Sequence, residues 1–226
     1  MNQNITGQLL DRIKSTTALL LWETGAVKID PEHPFKLTSG NYSPIYVNCR
    51  QVISDPVFMG LFTSFGRLIC RLGRVVPDVI AGGETAGMPF GAYLAQSMNL
   101  PFTYVRKAKK DHGLDNLVEG CDIRDKLVLL VEDLVTDGGS KLHFIDAIRA
   151  AGGEIEDIIV LFDRKQGGKQ ILEKLGIELH AMTDLRITLE TAVKAEVLTQ
   201  DQFDAVLEYL EDPKAWHEKM GLSYCG

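Results

Sequence analysis

The residues best suited to chemistry follow one strongly apolar run. In LVLLVEDLVTDGGSK, residues 127–141, the run leads into Glu132 and Asp133. Hydroxyl, acidic and glycine residues follow directly: Thr136, Asp137, Gly138, Gly139 and Ser140. Backbone N–H groups in a glycine-rich turn at the start of a helix bind phosphate. Carboxylates accept diol hydroxyls or bind a hydrated Mg²⁺. The segment therefore predicts a phosphate site next to a site for either diol hydroxyls or a hydrated Mg²⁺.

The same residues also fit a purely structural role. Glu132 and Asp133 can simply end a strand, and Asp137 can cap the helix that follows. Two familiar phosphate motifs are excluded, because the chain contains neither G-x-x-x-x-G-K-[ST] nor G-x-G-x-x-G. The combination of buried strand, acidic pair, hydroxyl and Gly-Gly turn favours the binding site.

A second candidate is the basic segment RKAKKDHG, residues 106–113. Four cations fall within five positions, and His112 follows them. The stretch 107–120 has little apolar content, which predicts a long mobile loop. Such a loop can be merely solvated, or it can close over a polyanion and exclude water. Nucleic-acid binding is disfavoured because no aromatic residues interleave with the cations.

The elements that must position these residues alternate between strand and helix. Apolar runs at 78–82, 101–106, 126–133, 156–164 and 177–182 are separated by helical stretches or loops. This alternation predicts a parallel sheet flanked by helices, with ligands at the carboxyl ends of the strands. A further helix is expected over the first 24 or so residues, with one apolar face formed by Ile5, Leu9, Ile13 and Leu20. Another is expected from Pro56 to about Leu72, and more helix over most of the last 35 or so residues.

Composition bounds the class of protein. The 226 residues are 45% hydrophobic and 24% charged, which fits one large globular domain with small appendages. A net charge of −7 argues against general nucleic-acid binding. No apolar run approaches the roughly 18 residues of a membrane span. The four cysteines form no C-x-x-C pair, so we expect reduced, buried thiols in a cytoplasmic protein.

Both candidate segments resemble one family. Residues 127–141 resemble the phosphoribosyl-pyrophosphate (PRPP) motif of type I phosphoribosyltransferases. The basic segment resembles the catalytic loop of orotate phosphoribosyltransferases, Arg-Lys-x-x-Lys-x-His-Gly. The resemblance implies the type I fold, a central parallel sheet flanked by helices with a small N-terminal hood. It also implies transfer of the 5-phosphoribosyl group from PRPP to orotate, giving orotidine 5′-monophosphate and pyrophosphate.

Three other segments carry the same resemblance. Residues 35–50 resemble the family's N-terminal signature, with Thr38 where many members have lysine. The resemblance puts Ile45 and Tyr46 near the base, and ordinary strand packing is the alternative for that pair. Residues 80–95 resemble the pyrophosphate loop, with Ala86 where some members have lysine. Arg164 matches the arginine that pairs with the orotate carboxylate, and a surface ion pair is the alternative.

The resemblance implies a full set of site residues. Catalytic roles fall to Arg106, Lys107, Lys110 and His112. PRPP binding falls to Glu132, Asp133, Leu134, Val135, Thr136, Asp137, Gly138, Gly139 and Ser140. Orotate binding falls to Thr136 and Arg164. Mg²⁺ is implied as cofactor, held mainly by PRPP and water rather than directly by the protein.

The expected organisation is a base-binding hood over residues 1–50, a phosphoribosyltransferase core over 51–190 and a helical extension over 191–226. The resemblance implies a homodimer that shares its active sites, with no nucleic-acid or membrane partner. Two alternatives stay open at this stage. One is a regulatory module that binds PRPP or a nucleotide without catalysis, and the other is transfer to another base.

Overall fold

A computed structural model describes residues 3–37, 39–108, 117–136 and 139–225. The strands are β1 (Val27–Ile29), β2 (Phe35–Lys36), β3 (Tyr42–Ser43), β4 (Ile45–Val47), β5 (Val79–Gly83), β6 (Phe102–Val105), β7 (Val118–Glu119), β8 (Leu127–Val135), β9 (Glu154–Asp163) and β10 (Glu178–Asp184). The helices are α1 (Gln3–Glu23), α2 (Pro56–Gly73), α3 (Gly87–Met98), α4 (Gly139–Ala150), α5 (Gly168–Lys174), α6 (Leu185–Lys194), α7 (Gln200–Glu211) and α8 (Pro213–Lys219). A 3₁₀ helix spans Cys49–Ser54.

A six-stranded sheet organises the core, in the order β10-β9-β8-β5-β6-β7. Every neighbouring pair is parallel except β6 and β7, which run antiparallel at the edge. The parallel sheet flanked by helices is therefore confirmed. Since β5 and β8 are adjacent and parallel, the loops that follow them emerge side by side. This places the glycine-rich turn after β5 next to the acidic pair of β8.

Strand β8 is buried on both faces, as its apolar run predicts. Leu129 and Val131 belong to one hydrophobic cluster, whose other members include Phe62. Val128 and Leu130 belong to a second cluster on the opposite face. Full burial of each such side chain stabilises the fold by roughly 1.5–3 kcal/mol. The strand that carries the acidic pair is thus fixed from both sides.

Helix α2 begins and ends where its sequence predicts. The Asp55 side chain caps it by accepting hydrogen bonds from Val57 N at 2.9 Å and Phe58 N at 3.1 Å. Pro56 occupies the first turn, where a missing N–H is harmless. The helix ends at Gly73, and Arg74 follows with φ of 60°.

The N-terminal region lies against the sheet as a small hood. β1 pairs with β4 and β2 pairs with β3, both antiparallel. Helix α1 packs on α6 and β10. Its expected face is only partly right, because Ile13 is buried but Ile5 is 54% exposed.

The C-terminal residues form helices, as expected. Thr199 and Gln202 make a reciprocal capping box at the start of α7. Val206 of α7 is fully buried in the main hydrophobic cluster, so the extension packs on the core. No helix among the described residues is long and apolar enough to cross a membrane.

Three expectations need correction. β8 continues through Val135, so the acidic pair lies within the strand and not at its end. The stretch expected to be loop throughout contains β7 at its far end. The cysteines are not all buried: Cys225 is exposed and Cys121 is half-buried, because both lie outside the core elements.

Candidate active site

A cavity of about 640 Å³ opens at the carboxyl ends of β5 and β8. This is the position expected for ligands of parallel sheets. Five basic and three acidic side chains line it among the described residues: Lys36, Arg50, Lys107, Lys141 and Arg164, with Glu84, Glu132 and Asp133. The excess of positive charge suits an anionic ligand.

Glu132, the first acid of the pair, is buried and ion-paired. It is 4% exposed, and its Oε2 accepts a hydrogen bond from the Nζ of Lys141, itself 5% exposed. Oε1 has no hydrogen-bond partner in the described part of the chain. Burial raises the pKa of Glu132, and the ammonium of Lys141 opposes that shift. Glu132 therefore has one oxygen paired with Lys141 and one buried oxygen without a hydrogen-bond partner among the described residues.

Asp133 and the residues after it take different positions. Asp133 and Leu134 line the cavity. The carbonyl of Val135 accepts from Arg164 N at 3.0 Å, and that of Thr136 accepts from Gly168 N at 3.0 Å. These two bonds tie the end of β8 to the segment that carries Arg164.

The turn after Thr136 is described only in part. Gly139 is exposed and begins α4. Asp137 and Gly138 lie outside the described residues. The start of a helix at the carboxyl end of β8 is the feature that a phosphate-binding turn requires.

The turn between β5 and α3 closes tightly on Glu132. A Cβ at Gly83 would lie 2.2 Å from Glu132 Oε1, and one at Gly87 would lie 2.1 Å from the same atom. Only glycine fits at either position, because a Cβ at Gly83 would also lie 2.4 Å from Phe144 and one at Gly87 would lie 2.5 Å from the carbonyl oxygen of Val131. The peptide bond Glu84–Thr85 is cis, and Glu84 Oε2 accepts from Lys107 N at 2.8 Å. The glycine-rich sequence predicted this turn, but it did not predict that the turn contacts Glu132.

The basic segment is split between two places. Lys107 lines the cavity. Arg106 lies outside the cavity lining, with its guanidinium 3.6 Å from Glu119 of β7. Lys110 and His112 lie outside the described residues. The catalytic roles of all four stay predictions.

Arg164 lies in the cavity wall. Its Nη2 donates to the carbonyl of Val47 at 3.4 Å, and its buried Nε has no hydrogen-bond partner among the residues described. Arg164 also lines a smaller adjoining cavity with Tyr46 and Leu37. A guanidinium in a cavity wall is suited to a planar carboxylate. Tyr46, which is 40% exposed, lines both cavities, whereas the buried Ile45 lines only the smaller one.

Sequence reasoning assigned no role to Lys141, and geometry shows why it belongs to the site. It lies in α4 three residues before Phe144, which is buried. Residues three apart share a helix face, so this spacing places the lysine on the buried side. That spacing was the available signal. Cys49 also lines the cavity, but burial raises the pKa of its thiol, so it is protonated and unreactive.

The fold and cavity together define a phosphoribosyltransferase. The family model for the phosphoribosyl transferase domain matches residues 73–178. That range contains the glycine-rich turn, the basic segment, the acidic pair and Arg164.

The relatives narrow the class to one family. An orotate phosphoribosyltransferase from Sinorhizobium medicae is 40% identical over 208 residues, covering 90% of each chain. The chain belongs to the orotate phosphoribosyltransferase family. The crystal structure of such an enzyme from Aeropyrum pernix is 29% identical, with a TM-score of 0.67 over 76% of this chain and 96% of that one. Leishmania donovani UMP synthase is 30% identical, with a TM-score of 0.75 over 87% of this chain, which spans only 42% of that longer protein.

Proposed function

We propose that the chain transfers the 5-phosphoribosyl group of PRPP to N1 of orotate, yielding orotidine 5′-monophosphate and pyrophosphate. The bond from N1 to C1′ forms as the bond from C1′ to the pyrophosphate oxygen breaks, and the leaving group keeps the electron pair. The observation that carries this proposal is the buried Nε of Arg164, which has no hydrogen-bond partner in the described part of the chain, in the wall of the cavity that Asp133 also lines. A fixed cation in that position selects an anionic base.

PRPP would lie across the ends of β8 and β5. The 5′-phosphate would rest on the turn from Thr136 to Ser140, with the ribose hydroxyls toward Glu132 and Asp133. The pyrophosphate would face the turn after β5, where Glu84, Thr85 and Ala86 line the cavity. Thr136 and Arg164 would contact orotate, and the backbone bond between Val135 and Arg164 holds the two parts together.

The site fits Mg²⁺ bound through PRPP and water. Asp133 lines the cavity, and Glu132 offers a buried oxygen without a partner in the described structure. Because Glu132 Oε1 lies against Gly83 and Gly87, the carboxylate of Asp133 is the group that would hold the water shell of a hard cation. Bound Mg²⁺ supplies positive charge to the pyrophosphate. Asp133 and Glu132 would orient the ribose hydroxyls, and Arg164 would hold orotate in line with C1′.

The basic segment is assigned to the leaving group. Lys107 already lines the cavity from the start of this segment. Lys110 or His112 would donate a proton to the departing pyrophosphate, and Arg106 and Lys107 would bind it. In a homodimer, Lys107 would serve the cavity of its own chain, and we assign the rest of the segment to the neighbouring subunit's site, so that each site is shared. The base-binding hood, residues 1–50, would cover the orotate from above the sheet.

The test is loss of orotate absorbance after addition of PRPP and Mg²⁺, with uracil and adenine as competing bases. We expect turnover of orotate, and Arg164→Ala should raise the orotate KM more than tenfold while changing the PRPP KM little. The loss of one charge-assisted pair, about 1.5–3 kcal/mol, accounts for that size. PRPP binding without turnover of any base would favour a regulatory module, and turnover of uracil or adenine alone would contradict the orotate assignment.

The basic segment is tested separately. Lys110→Ala should lower kcat by orders of magnitude while PRPP binding stays measurable. Lys174→Ala, an exposed lysine on α5, is the matched control and should leave kcat unchanged. Mixing Lys110→Ala with Arg164→Ala subunits should restore part of the activity if sites are shared. An unchanged kcat for Lys110→Ala, or heterodimers without restored activity, would count against this role.

A further inference from the structure

The cavity wall that holds Leu37 and Ser39 has little support of its own. β2 and β3 pair through only two residue pairs, Phe35 with Ser43 and Lys36 with Tyr42. Among its described residues, the turn between them has two backbone hydrogen bonds, Leu37 N to Asn41 O at 2.7 Å and Gly40 N to Leu37 O at 3.0 Å. An isolated two-stranded hairpin of this length is marginal in water. Something else must hold this hairpin, residues 35–43, against the cavity.

Helix α8 supplies one support. The imidazole of His217 is fully buried, and its Nε2 accepts a hydrogen bond from Tyr42 N at 2.9 Å. Its Nδ1 lies 2.5 Å from the carbonyl oxygen of Pro213, which can only accept. The proton must therefore be on Nδ1, which leaves Nε2 as the acceptor that Tyr42 N–H needs. The side chain is fixed in both orientation and tautomer.

The residues after α8 supply a second support. Asn41 Nδ2 donates to the carbonyl of Cys225 at 2.9 Å, and Cys225 N donates to Asn41 Oδ1 at 2.7 Å. This reciprocal pair joins the tip of the hairpin to the end of the chain. A Cβ at Gly40 would lie 3.5 Å from Cys225 Sγ, so the side chain of Cys225 also lies against this turn.

Aromatic packing holds these supports together. The ring of His217 meets Trp216 at 5.3 Å and Tyr224 at 5.1 Å, both edge to face. Tyr209 of α7 meets Trp216 at 5.1 Å and lines the smaller cavity beside Arg164. The C-terminal region therefore reaches the hairpin and the wall around Arg164.

We propose that residues 213–225, the C-terminal strap, position the hairpin for orotate binding through His217 and the backbone of Cys225. His217 is a positioning residue, since it acts through Tyr42 and does not line the cavity. The strap sets how well the wall at Leu37 and Ser39 is formed before orotate arrives, so its loss weakens orotate binding more than PRPP binding. This inference rests on the proposed function for its choice of ligand.

The test compares two substitutions at one position. His217→Phe keeps an aromatic ring but removes the acceptor, while His217→Gln offers an amide oxygen near the same place. We expect His217→Phe to raise the orotate KM about tenfold, with the PRPP KM and kcat within twofold, and His217→Gln to stay near wild type. The matched control is Lys219→Ala on the same strap, which removes an exposed ion pair with Glu208 of α7. An unchanged orotate KM in His217→Phe, or an equal rise for both substrates, would overturn the proposal.

A chain ending at Leu222 removes Cys225 without altering α8. It should show the same selective rise in orotate KM, and it keeps the proposal testable if His217→Phe does not fold. Hydrogen exchange at the Tyr42 amide tests the positioning role of the strap independently of orotate turnover. Faster exchange at Tyr42 in His217→Phe, in a protein that does not consume orotate, would uphold the positioning and contradict only the proposed function. Unchanged exchange would contradict the positioning itself.

Discussion

The pair of Glu132 and Lys141 gives a sharp test of the site's electrostatics. Replacing Lys141 with methionine keeps the length of the side chain but leaves Glu132 buried without its cation. Breaking a buried pair by removing one partner costs about 3–5 kcal/mol. Replacing both with Lys141→Met and Glu132→Gln removes the uncompensated charge, so the double variant should lose less than the single one. Urea unfolding of the three proteins without PRPP measures the difference.

The pH dependence of the single variant follows from the same burial. Burial already raises the pKa of Glu132, and loss of Lys141 should raise it further. The folded state then binds more protons than the unfolded state between the ordinary and the raised pKa of this carboxyl. Stability is therefore highest below the ordinary glutamate range and falls as pH rises through the raised pKa, by at most about 1.4 kcal/mol per pH unit.

The expected outcome is a Lys141→Met protein that unfolds at lower urea concentration at pH 8 than at pH 5. The double variant should show little of this dependence, because it has no carboxyl to titrate at that position. The reasoning would be refuted if the single variant matched wild type at both pH values, or if the double variant were the least stable of the three.

Two further predictions concern packing and thiol chemistry. Gly87→Ala should destabilise the protein by about 1–3 kcal/mol and weaken PRPP binding, since its Cβ would lie 2.1 Å from a Glu132 oxygen. Gly60→Ala, which has open space around it in α2, should instead stabilise the protein by about 0.5–1 kcal/mol in thermal unfolding. Equal losses of stability in the two variants would contradict this geometry. Labelling with a thiol reagent should modify exposed Cys225 quickly. Burial raises the pKa of Cys70 to about 11, so Cys70 should stay unlabelled until the protein unfolds. Rapid labelling of Cys70 in the native protein would be inconsistent with its burial.

The sequence predicted the elements whose signals are local. The apolar run of β8 indicated a central strand because both of its faces are buried, and Asp55 followed by Pro56 marked the start of α2 because a cap and a proline act within one turn. Short elements could not be predicted, because they carry no such local signal. β7 has two residues, and its pairing with β6 is a tertiary contact that no local pattern records.

The candidate site was predictable in its motifs but not in its supports. The acidic pair and the glycine-rich turns each carry a compact pattern, so their segments could be marked. That Gly83 and Gly87 abut Glu132 depends on two strands lying side by side. The bond between Tyr42 and His217 joins residues 175 positions apart, and a distance of that kind leaves no trace in local spacing.

The most direct test of the central claim is a crystal structure of the protein with PRPP and Mg²⁺. We predict the 5′-phosphate on the turn that follows Thr136, the ribose hydroxyls facing Asp133, and the pyrophosphate beside the turn after β5. PRPP bound in another cavity, or a ribose turned away from Asp133, would contradict the assignment of this site.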